Sequence, residues 1–429
     1  MRKAVIVALV CLIGTTATAK NRTVHKKARP IKDSYIVMID DGFSADVTGI
    51  AHQLAGRHGG KVTAVWTDAV RGFAVQMSEE AAYAMANDPR IVAIEEDELA
   101  EITDWCHTYC YPTQINSGCA DGTVGWQLDR IDKPTLGELD GKFKHCTSPG
   151  YFTRIYIVDS GIRKHKDFLD DYGYTRITSG TTFINDGRGT DDCYSHGTHV
   201  ASFAAGRDSG AAKEAALVPV RVLDCSGNGS ATNVINGINW VIQDHQPGPA
   251  VLNISLNFST STTMNTAVDN AVNDGIVVVV GAGNTGGNNC NSSPAGASRA
   301  LTVGASTKTD ARASFSSTGS CVDIFAPGEK VGGAHHADFN SYNCNPGWSG
   351  TSMAAPVVAG VAAVLYDALY YDNRNYYGPD ALTQIIIDAS VKNALSGIPT
   401  GTSNRLLQLP LGWGRCQENK CLEWCDPTR

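Results

Sequence analysis

Three short segments of this 429-residue chain put an acid, a base and a nucleophile into glycine-containing turns. The β-branched run Ile155 to Val158 stops at Asp159-Ser160-Gly161. Ser195-His196-Gly197-Thr198-His199-Val200 opens a stretch of small residues. Gly350-Thr351-Ser352-Met353-Ala354-Ala355-Pro356 opens another, apolar on every face through Leu365. A helix apolar all round is a buried one, so Ser352 is expected at the positive end of a buried helix dipole. Pro356 is tolerable there because it falls in or just beyond the first turn. Taken singly, each segment has a plain reading: Asp159 as an acceptor for loop amides, Ser352 as a helix cap. His196 and His199, three apart, could pair on a metal, but no HExxH pattern or carboxylate cluster supports it. Together they supply a hydroxyl nucleophile, an imidazole base and a carboxylate to orient that base.

The elements around these segments must hold them at one edge. Short apolar runs at Ile155–Val158, Leu217–Leu223, Val251–Leu256, Ile276–Val280 and Leu301–Val303 alternate with helical patterns at Thr198–Ala205, Ala231–Gln243 and Thr263–Asn273. Continuous apolar strands alternating with helices predict a buried parallel sheet. Its working edge is the carboxyl ends of the strands. Upstream, Ser34–Ile39, Asp46–Arg57, Val62–Trp66, Phe73–Met77, Glu79–Asn87 (Ser78 as N-cap) and Ile91–Ile94 read as β-α-β-β-α-β. That is a ferredoxin-like α+β arrangement. An acidic stretch from Glu95 follows, and a domain boundary is placed near Ile102–Trp105.

Composition narrows the function classes. Hydrophobic residues make up 42% and charged residues only 18%, which excludes wholesale disorder. A net charge of −8 argues against a nucleic-acid binder with a general basic surface. The cluster Lys26, Lys27, Arg29 and Lys32 reads as a solvated, disordered arm. Arg2 and Lys3, the apolar run Ala4–Ile13 and Ala17-Thr18-Ala19 form a secretory signal peptide, residues 1–19. No later run reaches the roughly 20 apolar residues of a membrane span. Of the 13 cysteines, 12 remain after Cys11 is removed, an even number suited to an oxidising compartment. The chain is expected to be secreted and extracellular.

The motifs IVDSGI, SHGTHV and GTSMAAP, with VVVVGAGN and VDIFAPG, resemble the subtilisin-like serine protease superfamily, and within it the proteinase K branch. The resemblance runs from Val124 to about Leu409. The β-α-β-β-α-β unit, with Arg71-Gly72-Phe73-Ala74, is similar to the family's inhibitor-type propeptide. The implied fold is α/β: a three-layer subtilisin-like fold with a mostly parallel sheet between helices, preceded by a ferredoxin-like propeptide. The implied layout is signal peptide 1–19, propeptide 20–104, and catalytic domain 105–429 with a Cys-containing N-terminal insertion and a C-terminal tail. The implied activity is that of an autoprocessed zymogen, an endopeptidase with Asp159, His196 and Ser352 as its triad and Asn284 in the oxyanion hole; His199 is structural. Partners are extended peptide or protein substrates and the chain's own propeptide, with a monomer expected and no nucleic acid or membrane.

The resemblance also assigns substrate-binding strands at Ser226-Gly227-Asn228-Gly229 and Ser255-Leu256-Asn257-Phe258. Asn257 and Phe258 stand where the family usually has two glycines. No carboxylate cluster marks a pocket for basic side chains, so a broad apolar preference is the default. Disulfides Cys193–Cys225 and Cys290–Cys321 are implied, each closing a loop of about 30 residues for roughly 3–4 kcal/mol. The other cysteines, Cys106, Cys110, Cys119, Cys146, Cys344, Cys416, Cys421 and Cys425, permit 105 connectivities. They are expected to staple the insertion and tail to the catalytic domain, metal binding being the alternative. No cofactor is implied for catalysis; a structural calcium is, at Asp323 with the Ser298 and Ala300 carbonyls. The alternative function is a secreted binding protein on a protease scaffold that cleaves only its own propeptide.

Overall fold

The charged start and the periodic segment after it build one sheet with two helices on its outer face. β1 (Val24–His25), β2 (Pro30–Ile39), α1 (Val47–Arg57), β3 (Lys61–Trp66), β4 (Gly72–Gln76), α2 (Glu79–Ala86) and β5 (Ile91–Glu98) are followed by the short β6 (Glu101–Ile102). The structure is a computed structural model describing residues 23–43, 46–102, 125–143, 149–373 and 377–409, except the side chains of 343–346 and 370–373. The expected signal peptide and the eight further cysteines lie outside the described residues, Cys344 by its side chain. Asp46 and Ser78 cap α1 and α2, accepting from Gly49 N at 2.8 Å and Ala81 N at 3.3 Å. The strand order is β1-β5-β2-β4-β3. Val47, Ile50 and Leu54 of α1 and Met85 of α2 close a core against Val37, Phe73, Val75 and Ile94.

Two expectations change here. The basic arm is ordered rather than disordered, although Lys26, Arg29 and Lys32 stay exposed: β1 pairs in parallel with β5, Lys26 reaches Glu79 and Glu96, and Lys27 forms a buried 2.7 Å ion pair with Glu95. The last strand runs four residues further than hydrophobicity predicts, to Glu98, because its acidic side chains meet donors on the other unit.

That second unit comprises α3 (Trp126–Ile131), β7 (Arg154–Asp159), β8 (Thr181–Thr182), α4 (His196–Ala205), β9 (Ala216–Arg221), α5 (Ala231–Asp244), β10 (Ala250–Ile254), β11 (Leu256–Ser259), α6 (Thr262–Asn273), β12 (Val277–Gly281), β13 (Ser292–Ser293), β14 (Leu301–Ser306), β15 (Ile324–Pro327), β16 (Val331–Ala334), β17 (Tyr342–Trp348), α7 (Thr351–Asn373), α8 (Pro379–Ala389), β18 (Val391–Lys392) and β19 (Arg405–Leu406). Its nine-stranded sheet runs β18-β19-β15-β14-β12-β10-β7-β9-β8, parallel except at the β18–β19 edge. Successive strand residues serve opposite faces. Ile155, Ile157, Val251, Val277 and Val279 pack under α4 and α7. Tyr156, Val158, Leu252, Val278 and Val280 pack under α5 and α6. The result is the expected three layers. α7 contains an apolar stretch long enough to cross a membrane, but it is mostly buried in the protein as the central helix.

The N-terminal unit docks on α5 and α6 by apolar and polar contacts together. Ile36, Trp66, Ala69, Val70 and Ala74 join the core layer of those helices. Asp97 accepts from Thr232 N at 3.1 Å and Thr232 Oγ1 at 2.8 Å, at the start of α5. Glu95 accepts from Thr263 N at 3.0 Å and Thr263 Oγ1 at 2.9 Å, at the start of α6. Each carboxylate faces the positive end of a helix. Burial works against ionisation of Glu95, but the Lys27 ammonium and the donors of Ser261 and Thr263 outweigh it and hold the carboxyl below its ordinary range. At Asp97 burial prevails over its hydroxyl and amide donors, and the carboxyl is raised. Replacing Glu95 by Ala strands a buried ammonium, a cost of about 3–5 kcal/mol; Asp97→Ala leaves the Thr232 amide and hydroxyl and the Ser34 hydroxyl without their acceptor, each worth about 1–3 kcal/mol. Urea unfolding of the full chain should therefore show a lowered midpoint in both variants, each losing at least about 3 kcal/mol.

Candidate active site

The sheet order sets where the site lies. From β7 the chain moves to β9 on one side and returns to β10 on the other, so its direction of travel reverses between β7 and β10. A crevice opens at the carboxyl ends of strands at such a reversal. Asp159 ends β7, and Ser255 follows β10. The start of α7 comes to the same crevice: Ser352 Oγ donates to the Ser255 carbonyl at 3.3 Å, and Ser255 Oγ donates to the Ser352 carbonyl at 3.2 Å.

His196, the first residue of α4, donates from Nδ1 to Asp159 at 2.7 and 2.8 Å, and both side chains are fully buried. Helix and strand approach this closely because residue 197 is glycine. A Cβ there would stand 2.2 Å from the Gly161 carbonyl oxygen and 3.1 Å from Asp159 Oδ1. The start of α4 is held by Asp192, which the sequence reading missed. Its Oδ1 accepts from Ser160 Oγ, Tyr194 N and Ser195 N at 2.9 Å each, and its Oδ2 from Thr198 N at 2.8 Å and Thr198 Oγ1 at 2.6 Å. Ser195 is bent into the left-handed region, φ +94°. A non-glycine residue there is strained, and such strain gathers at functional sites.

Asn284 supplies a donor of fixed orientation. Its Oδ1 accepts from Thr351 N, at the start of α7, at 3.0 Å. An amide N–H can only donate, so that atom of Asn284 must be the oxygen. Nδ2 then points elsewhere, buried and with no hydrogen-bond partner among the described residues. The site thus holds a carboxylate–imidazole pair, a serine at a helix start, and one unspent amide donor.

A sequence profile described as the subtilase family matches residues 152–414. This chain belongs to the subtilase family. It is 38% identical over 356 residues to the extracellular serine proteinase of Thermus sp. (strain Rt41A), spanning 83% of this chain and 79% of that one. It is 33% identical over 422 residues to the cuticle-degrading serine protease of Arthrobotrys oligospora, 92% of this chain and 95% of that one. Among solved structures, a cold adapted subtilisin-like serine proteinase matches with 39% identity and a TM-score of 0.58, covering 66% of this chain and 97% of that chain.

The remaining expected residues of this subtilase fall as follows. The disulfides Cys193–Cys225 and Cys290–Cys321 are formed, one beside the His196 turn and one beside the Asn284 loop. Asp186 lies near the first pair, but it is held by Arg221 at 2.6 Å and the thiols are spent, so this grouping is no metal centre. His199 is buried, with Nδ1 at 3.0 Å from the Ala334 carbonyl and its ring 4.6 Å from that of Trp348. Burial depresses its pKa to about 3, as suits a neutral structural imidazole. Trp348, also unforeseen, lies with its ring centroid 6.2 Å from that of His196. Asp323 accepts from Thr302 N at 2.8 Å, two residues beyond Ala300 and four beyond Ser298. Burial pushes its carboxyl up to about 6, and the Thr302 amide and Arg405 offset only part of that. A buried carboxylate short of positive charge is an oxygen donor of the kind a hard cation takes.

The two strands expected to bind substrate enclose the end of the N-terminal unit. Leu99 bridges Ser230, and Ala100 N donates to the Gly229 carbonyl at 2.7 Å, one residue past the expected Ser226, Gly227 and Asn228. Within that segment Asp224 Oδ1 accepts from Ser226 N at 2.8 Å and Asn228 N at 2.9 Å. On the other side β6 pairs antiparallel with β11, Glu101 opposite Asn257 and Ile102 opposite Leu256. Truncating Asp192 would leave several buried donors unmet, each worth about 1–3 kcal/mol. Asp192→Ala should lose at least about 3 kcal/mol in chemical denaturation, with Asp192→Asn between it and the parent.

Proposed function

We propose that the chain is a secreted serine endopeptidase made as a zymogen, acting as a monomer on extended peptide or protein substrates. The observation that carries this reading is β6. The chain's own segment lies as a third strand between Ser230 and β11, in the manner of β-augmentation. Side-chain geometry supports the rest. Ser352 Oγ is a weak nucleophile until a base takes its proton. His196, its Nδ1–H fixed on Asp159, is left with Nε2 for that transfer and returns the proton to the leaving amine. The tetrahedral oxyanion would receive Asn284 Nδ2–H and the Ser352 amide at the positive end of α7. The product of the first step is an acyl-enzyme on Ser352, which water then hydrolyses.

Residues 20–104 act in this reading as folding partner and then as inhibitor. One ladder step beyond Ile102 opposite Leu256 reaches Ser255, whose carbonyl holds the Ser352 hydroxyl. The bond proposed to break is therefore Thr103–Asp104, one earlier than the boundary drawn from the sequence. The family profile starts at residue 152 and the solved relative covers 66% of the chain, which is consistent with a separable N-terminal unit. No cofactor takes part in the chemistry. A structural calcium on Asp323, with the Ser298 and Ala300 carbonyls, completes the proposal.

Four measurements test it. Hydrolysis of a mixed peptide substrate should vanish in Ser352→Ala, and the zymogen should then stay uncut. Asn284→Ala should retain activity reduced about 10²–10³-fold in kcat, the size already established for the corresponding donor of subtilisin. N-terminal sequencing of the wild-type product should begin at Asp104. For calcium, the sign follows from the raised Asp323 carboxyl. Without a cation the folded state binds this proton more tightly than the unfolded chain, so stability declines as pH rises from about 4 through 6. A cation needs the ionised form. Added calcium should therefore raise Tm more at pH 8 than at pH 5, and a chelator should reverse it.

A further inference from the structure

Asn257 occupies the position on β11 where the family usually offers a glycine. The residue is 6% exposed. Its Oδ1 is buried with no hydrogen-bond partner among the described residues. Its Nδ2 reaches across to Gly283, within 3.4 Å of where a Cβ on that glycine would stand. Gly283 adjoins Asn284, the residue with the unspent donor. The amide of Asn257 therefore lies between β11 and the Asn284 loop.

The ladder says which substrate side chain meets it. Residues two apart on a strand share a face, so Asn257 shares a face with Ser255. A substrate residue opposite Ser255 directs its side chain to that same face, and its diagonal neighbour across the ladder is Asn257, about 7–8 Å away between backbones. In the reading above, that substrate residue is the one whose carbonyl is attacked. The asparagine amide occupies space that a glycine would leave open, and its oxygen has no partner among the described residues. A buried amide oxygen left unpaired is costly, and a ligand donor removes that cost.

We propose that Asn257 sets substrate choice at the residue before the scissile bond. It would exclude large apolar side chains and favour small ones that carry a hydroxyl or amide donor, namely threonine, serine and asparagine. The chain's own Thr103, placed before the bond proposed to break, belongs to that class. This inference rests on the endopeptidase reading. It replaces the broad apolar default with a narrow polar pocket.

The test uses the mature enzyme and a series of peptides differing only at that residue: Thr, Ser, Asn, Val, Leu and Phe. Threonine and valine are nearly isosteric, so their ratio reports the hydrogen bond and the Phe value reports the space. A site built around a hydrogen bond rejects the analogue lacking it far more strongly than an apolar pocket rejects a size change. We expect kcat/KM for Thr to exceed that for Val and for Phe by at least about tenfold. In Asn257→Gly the Phe peptide should gain at least about tenfold and the Thr-to-Val ratio should fall towards one. Asn257→Ala serves if the glycine variant does not fold. A parent that prefers Phe or Leu, or a Thr-to-Val ratio unchanged by either variant, overturns the inference. Labelling of Ser352 by an organofluorophosphate separates the two levels. Label without the preference removes the role of Asn257 alone. Neither label nor cleavage of any peptide removes the endopeptidase reading and this inference with it.

Discussion

A helix begins with backbone amides that its own turns cannot satisfy, and at this site each of four helices takes an acceptor from outside itself. Asp192 serves α4, Asp97 serves α5, Glu95 serves α6 and Asn284 serves α7. These contacts decide more than helix stability. Because Thr351 N occupies the Asn284 oxygen, the Asn284 nitrogen is left unspent, with no partner among the described residues. Because Asp192 gathers the turn before α4, His196 starts its helix against Asp159. The capping requirement therefore orients the chemical groups, and mutation of a cap acts on geometry as well as on free energy.

The sheet supplies the frame. Strands of alternating inward and outward residues, buried on both faces, leave almost no freedom for β7 and β10 to shift. Asp159 and Ser255 are fixed at adjacent strand ends, and α7, apolar around its whole circumference, can be nowhere except between the sheet and α4. A serine at its first turn is thus carried to the crevice by packing alone. The two disulfides lie beside the His196 turn and the Asn284 loop.

Much of this was legible in the sequence, and the reason differs from residue to residue. Asp159, His196 and Ser352 each sit in a local pattern of apolar run, glycine turn and helix start, and the structure brings them or their elements to one crevice. The β-α-β-β-α-β order was legible from periodicity, and Ser78 from its capping position. Glu95 and Asp97 were not: a run of carboxylates reads as a solvated linker, and their partners Thr263 and Thr232 lie 168 and 135 residues away. Lys27 misled for the same reason, since a buried ammonium is recognisable only with its carboxylate. Asp192 lay within a recognised motif's neighbourhood, yet its acceptor role depends on the left-handed bend at Ser195, which a serine does not announce.

One consequence of the capping by Glu95 and Asp97 concerns time rather than energy. The two helices that carry β9 into β10 and β11 into β12 begin on acceptors belonging to a different unit, and the ion pair with Lys27 leaves with that unit. In the zymogen reading, a catalytic unit separated from it would keep the Ser230 and Ser261 caps of those helices but lose the second acceptor at each start. The way in and the way out are then no longer the same path. If the path is lost in this way, endurance becomes a matter of how slowly the unit unfolds.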